Sequence, residues 1–264
     1  MKNWEDFEIK TTEFLNKTFG ENANFEHLGA SDSTVADIKV TTNNDKVFYI
    51  EAKHSPAQCG QFVLLPNIET HTFDYSKLNA VPINTYSKQI IDFMNQDFDS
   101  FKEAGTKGKE IIMANGAEIF SNWIIDFYKN KNVKFFITNE NLILPIEKFS
   151  DYFNVKAKFR VKRSGSSSVG SCNLKKITDY INKNFNQTKI EVVGDKLFVS
   201  SSNQLHNLRF VYDGFEYMFS QREDKYEIRK LSNTFNANVI FSIELKSGVS
   251  GISIKDFVLF LIAY

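Results

Sequence analysis

Asp37-Ile38-Lys39-Val40-Thr41-Thr42-Asn43-Asn44-Asp45-Lys46-Val47-Phe48-Tyr49-Ile50-Glu51-Ala52-Lys53 is the stretch from which the rest of the chain can be read. Asn43, Asn44 and Asp45 are turn formers. They separate two runs of alternating apolar and polar residues, the pattern of paired β-strands. Successive side chains of a strand point to opposite faces. Ile38, Val40, Phe48, Ile50 and Ala52 therefore share one face, and Asp37, Lys39, Glu51 and Lys53 share the other. With the three turn residues as the hairpin loop, Thr42 pairs with Lys46 and the register carries Asp37 opposite Glu51. A slip of one residue would bury the charges, so the demand for one apolar face gathers two carboxylates and a lysine on the exposed face.

Two carboxylates a few ångströms apart resist joint ionisation unless a cation sits between them. Oxygen ligands of this kind suit Mg²⁺, which keeps several waters and completes its octahedron from one or two carboxylates plus a phosphate oxygen. Lys53 is placed to orient a water or to offset developing negative charge. The competing reading of the same residues is a surface salt bridge on a hairpin.

Outward from the hairpin, Phe7, Phe14 and Leu15 among Glu8, Lys10 and Glu13 predict an amphipathic helix that stops at Gly20, and Gly29-Ala30-Ser31-Asp32-Ser33-Thr34 predicts a loop. Beyond Pro66 the pattern loosens until helices near 84–103 and 117–129, followed by strands at 133–138, 141–145 and 155–163. The Ser/Gly-rich stretch 164–171 is too short for a free linker and is read as an ordered loop. A helix near 174–185 leads into short alternating segments at 189–193, 196–200, 208–212, 216–221 and 226–231, the pattern of a small sheet. A strand at 239–246 and a helix from Ile254 follow.

With 42% apolar and 24% charged residues, the composition is that of a globular protein rather than a disordered or membrane chain. The longest apolar run, Phe257 to Tyr264, has eight residues, against roughly 18 for a membrane span. The acidic start, Trp4-Glu5-Asp6, lacks the apolar stretch of a secretory signal, so a cytoplasmic protein is expected. Cys59 and Cys172 form no C-x-x-C pair and the four histidines are scattered, which argues against a disulfide framework or a thiolate zinc site. The net charge of zero conceals a division: 12 Lys and Arg against 19 Asp and Glu over 1–130, 12 against 4 over 131–190, and 8 against 9 over 191–264. The basic middle suits a polyanion, and the acidic first part suits a divalent cation.

The acidic residue followed by acidic-x-lysine on the next strand, Asp37 and Glu51-Ala52-Lys53, resembles the PD-(D/E)XK nuclease superfamily. More specific runs resemble HhaI-like type II restriction endonucleases: Trp4 to Glu8, Phe48 to Lys53, Gln58-Cys59-Gly60-Gln61-Phe62-Val63-Leu64, Phe73-Asp74-Tyr75-Ser76, Thr106-Lys107-Gly108-Lys109, Lys162-Arg163-Ser164-Gly165-Ser166, and Leu231 to Ile243. The likeness covers nearly the whole chain and is weakest between about 172 and 225. It departs at Ala36, where a serine is expected, and in a slightly longer hairpin.

This resemblance implies an α+β (mixed α/β) fold, with a restriction-endonuclease-like PD-(D/E)XK core and additional small mixed β-sheet domains. The expected division is a catalytic domain over 1–130, a DNA sequence-recognition domain over 131–172 and 226–264, and an accessory domain over 173–225 for non-specific DNA contact. The implied activity is Mg²⁺-dependent hydrolysis of double-stranded DNA at GCGC, one strand at a time, by a monomer paired with a cognate cytosine methyltransferase. Asp37, Glu51 and Lys53 are the implied catalytic residues, with Asp37, Glu51 and the Ala52 carbonyl as metal ligands. Glu8 is the candidate accessory glutamate on the first helix, and Glu5 the alternative. Candidate DNA contacts are Gln58 and Gln61, whose amides can read base edges, together with Arg160, Lys162, Arg163, Ser164 and Ser166. Lys156, Lys158 and Arg160 alternate along one strand and suggest phosphate contacts. Two other readings remain: a structure-selective repair or recombination nuclease of the same superfamily, and a DNA-binding module with an inactive site.

Overall fold

The structure, a computed structural model, describes residues 3–28 and 35–264, so the loop expected at Gly29 to Thr34 lies outside the described residues. Residues Met1–Val161 with Ala237–Tyr264 form one compact unit, and Lys162–Asn236 form a second.

The first unit holds two sheets. One runs in the order Ala23–His27, Ile38–Thr42, Val47–Ala52, Val133–Thr138, Leu142–Pro145. Its hairpin has the predicted register: Ile38 faces Ile50 and Val40 faces Phe48, and the Thr42 amide donates to the Lys46 carbonyl at 2.9 Å. Ile38, Val40, Phe48, Ile50 and Ala52 are buried in one core with Leu15 and Phe19 of the helix Asn3–Phe19, and with Phe257 and Leu261 of the helix Ile254–Ala263. Side chains of this kind contribute roughly 1.5–3 kcal/mol each on leaving water, so the apolar face fixes the register.

The opposite face is not open to solvent, which corrects the expectation of an exposed charged side. Val133, Phe136 and Leu144 of the same sheet join a second core, with Tyr49 packed against it. That core includes Trp123, Ile124 and Tyr128 of the helix Gly116–Lys129 and residues of the second sheet. Val47–Ala52 and Val133–Thr138 pair in parallel with a register shift between Tyr49 and Ile50. This bulge changes the facing of the later strand: Val133 lies in one core, Phe135 and Ile137 in the other.

The second sheet runs Thr72–Tyr75, Ala57–Asn67, Phe235–Leu245, Phe153–Arg163, Lys109–Glu110. Residues 57–67 carry no regular alternation, since Gly60 and Pro66 interrupt it, so the sequence pattern does not mark this long strand. The boundary expected at residue 130 falls inside the first sheet, because the parallel pairing of Val47–Ala52 with Val133–Thr138 needs the intervening helix to return the chain.

The second unit is built on the sheet Thr188–Val193, Lys196–Ser201, Lys225–Leu231, Phe215–Arg222, Arg209–Tyr212, with Ser166–Ser167 added to Lys225–Leu231. Ile177 and Ile181 of the helix Leu174–Asn184 pack with Leu197, Val199, Phe219 and Ile228 to form its core. The strands expected over 189–231 are thus present. The chain leaves the second sheet along Phe153–Arg163 and returns along the neighbouring strand Phe235–Leu245. Among the described residues no helix is long and apolar enough to cross a membrane.

Gly60 has φ +88°, and a Cβ there would lie 2.8 Å from the Trp123 ring. Gly60→Ala is therefore expected to lower stability by about 1–3 kcal/mol, read as a lower urea midpoint at unchanged slope. An unmoved midpoint would show that the backbone here is not constrained.

Candidate active site

Hairpin register and the covered second face together build the site. Asp37 precedes Ile38–Thr42, and Glu51 lies near the end of Val47–Ala52, so the pairing of Ile38 with Ile50 places the two acids on neighbouring strands. The Ala52 amide donates to Asp37 Oδ2 at 2.9 Å. Lys53 Nζ lies 2.5 Å from Glu51 Oε1 and 3.4 Å from Asp37 Oδ2, so a single ammonium touches both carboxylates. The Lys53 amide donates to the Ile137 carbonyl at 2.9 Å, which fixes the lysine's backbone to the parallel strand.

These groups are largely withdrawn from water: Glu51 is 5% exposed, and the side chains of Asp37 and Lys53 are 17% and 18% exposed. Burial raises the pKa of Asp37; the Lys53 charge opposes that rise, and Glu8 adds to it. Burial likewise raises Glu51, with Lys53 opposing and Asp37 reinforcing. Burial works against the charge on Lys53, but the two carboxylates beside it hold its pKa above the usual lysine value. The result is a site in which the amine keeps its proton while burial works against the charge on both acids.

Of the two first-helix candidates, the structure buries Glu8 and leaves Glu5 half-buried. Glu8 Oε2 sits 3.1 Å from His27 Nε2, and its charge acts on Asp37. Gln58 and Gln61 are exposed on Ala57–Asn67, and Gln58 Nε2 donates to Gln61 Oε1 at 3.3 Å. They line one cavity of about 390 Å³ together with Glu51, Lys53, Gly60 and Tyr128.

The remaining candidates are distributed between the two units. Lys156 and Lys158 are exposed and Arg160 is half-buried on Phe153–Arg163, alternating with the buried Phe153, Val155, Ala157 and Phe159. Lys162, Arg163, Ser164 and Ser166 belong to the second unit. Lys162 is exposed. Arg163 is ion-paired to Glu216, and its guanidinium lies 5.4 Å from the centre of the Phe235 ring. The Ser164 hydroxyl bonds to those of Ser232 and Thr234, and Arg229 donates to the Ser166 carbonyl at 2.7 Å and to its hydroxyl at 3.3 Å. The loop is thus tied down by its own side chains. It borders a cavity of about 430 Å³ that also meets Gly165, Phe215, Lys230 and Asn233. Behind it, the buried Glu227 pairs with Arg222 at 2.8 Å and Arg229 at 2.5 Å.

Two residues of the site were missed from sequence. Tyr128 donates its hydroxyl to Glu51 Oε1 at 2.9 Å, and the Cys59 thiol lies behind it at 3.8 Å from that hydroxyl. Burial pushes the Cys59 thiol up to about 12 and raises Tyr128, so both keep their protons. In the sequence, Tyr128 falls four residues after Ile124 on the apolar stripe of a helix and reads as core.

No protein-family model and no curated protein sequence matches the chain. Among solved structures the chain is similar to HhaI endonuclease in complex with DNA, at 40% identity and a TM-score of 0.82, the match covering 100% of each chain.

The raised pKa of Asp37 means that its charged form weakens the fold at neutral pH. That penalty is present above the raised folded value and disappears as the pH falls below the ordinary carboxylate range. Asp37→Asn is therefore expected to raise the melting temperature by about 2–4 °C at pH 7, with the gain fading towards pH ~3. Equal melting temperatures at both pH values would show that Lys53 fully compensates the burial.

Proposed function

The chain belongs to the HhaI endonuclease family, and from that premise we infer that it is a type II restriction endonuclease that hydrolyses double-stranded DNA with Mg²⁺, at GCGC. The observation that carries the reading is the contact of Lys53 with both Asp37 and Glu51, with Lys53 and Glu51 lining a cavity that also presents Gln58 and Gln61. Among the described residues no cluster of three or more His, Cys, Asp or Glu side chains is placed to hold a metal. Asp37 and Glu51 are the one or two carboxylates that Mg²⁺ needs, its other ligands coming from water and phosphate. Asp37 and Glu51 each have one oxygen already bonded, Oδ2 and Oε1, and the other accepts no hydrogen bond from the described residues. The donor set therefore fits the ion, with Asp37, Glu51 and, by the family resemblance, the Ala52 carbonyl holding it. When bound, the ion supplies Lewis acidity to the scissile phosphate and to the attacking water.

The chain's own residues supply the rest. Asp37 is held by the Ala52 amide, so its carboxylate is aimed before substrate arrives. Lys53, which keeps its proton, orients the water or offsets the negative charge that grows on the phosphate oxygens. Glu8 adds negative potential on the helix side of Asp37. Gln58 and Gln61 reach base edges close to the cleaved bond, while Lys162 to Ser166 supply the second reading element. Lys156, Lys158 and Arg160 hold phosphates, and residues 173–225 grip DNA without reading it. With one such site among the described residues, a monomer cuts one strand and then the other. A cognate methyltransferase would protect the host's own sites.

Digestion of a sequenced plasmid with Mg²⁺ is expected to give a discrete fragment pattern, with nicked circles preceding linear DNA. DNA methylated at the inner cytosine of GCGC should resist. Cutting that ignores this methylation would remove the GCGC assignment, and a continuous smear would remove the restriction reading. Lys53→Ala is expected to slow cleavage by about 10²–10³-fold; unchanged cleavage would take Lys53 out of the chemistry.

A further inference from the structure

We propose that Tyr128 is a positioning residue for Glu51: its hydroxyl occupies one carboxylate oxygen and leaves Glu51 Oε2 as the oxygen presented to ion and substrate. The proposal rests on the nuclease reading above. A carboxylate can only accept, so the 2.9 Å contact fixes the Tyr128 proton on Glu51 Oε1. The phenol oxygen is then free to accept from the Cys59 thiol behind it. Donation runs in one direction, from thiol to phenol to carboxylate.

The phenol's place is set by the core and not by Glu51. Tyr128 is buried on the helix Gly116–Lys129, and its ring meets Phe127 and Phe136 edge-on, each at 5.0 Å between centroids. A phenylalanine would satisfy that packing equally well, so packing does not account for the hydroxyl, whereas Glu51 does. Lys53, the other donor to Glu51 Oε1, is a flexible side chain whose ammonium is also asked to serve water or phosphate. When Lys53 turns to that task, Tyr128 is the donor that stays. Partners behind a metal-holding side chain typically change metal affinity or activity by 10–100-fold when removed.

Tyr128→Phe removes the hydroxyl and keeps the ring. The variant is expected to melt close to the wild type and to bind the GCGC duplex with unchanged affinity. Calorimetric titration of its DNA complex with Ca²⁺ should show about 10-fold or more weaker ion binding. Its single-turnover cleavage at saturating DNA should fall by a similar factor and recover in part at high Mg²⁺. Cys59→Ala, which removes only the bond behind the phenol, is expected to move the same two quantities less. Wild-type Ca²⁺ affinity and cleavage rate in Tyr128→Phe would overturn the proposal, as would a defect confined to DNA affinity. A wild-type protein that fails to cut would instead overturn the nuclease reading, so the two failures are distinguishable.

Discussion

Two carboxylates and an ammonium withdrawn from water beside one another are costly for any fold, because each charge loses hydration that its neighbours return only in part. The sheet carrying Asp37, Glu51 and Lys53 has a core on each side, so these groups cannot relax into solvent as they would on an open hairpin. Several other features answer to that constraint. The Ala52 amide and the Tyr128 hydroxyl each donate to one acid, and Lys53 contacts both. Even so, burial leaves both acids with raised pKa values. Stability is given up locally to hold three charges together away from water.

The second unit meets a different demand. Its Ser/Gly loop is shaped by bonds to Ser232, Thr234 and Arg229, and Arg229 is itself held by the buried Glu227. Glu227 has a lowered pKa: burial alone would raise it, but the two arginines overcome burial and keep it ionised. A loop so anchored presents backbone and a fixed outline rather than loose hydroxyls. Lys162 is exposed next to that loop, whereas the Lys230 ammonium lies over the Phe215 ring.

Hairpin register and the division of its two faces were legible because one buried face and three turn residues determine them locally. Asp37 opposite Glu51 follows from Thr42 pairing with Lys46, and the structure has that pairing. What covers the other face was not legible. Tyr128 lies 77 positions beyond Glu51, and nothing in a helix's periodicity says which strand its stripe will meet. The strand Ala57–Asn67 was hidden by its own interruptions at Gly60 and Pro66. Boundaries drawn from charge and family likeness differ from the compact units because packing across the parallel strands, rather than local composition, decides which segments cohere.

The path of the chain into and out of Lys162–Asn236 has an evolutionary corollary. Departure and return occur on adjacent strands of one sheet, spaced about 4.8 Å apart. The entropic penalty of closing such an excursion rises only logarithmically with its length. Segments there can be lengthened, shortened or exchanged wholesale while the two strands still meet in register. A scaffold organised in this way lets the excursion vary as an interchangeable graft, under selection separate from that acting on the sheet it leaves.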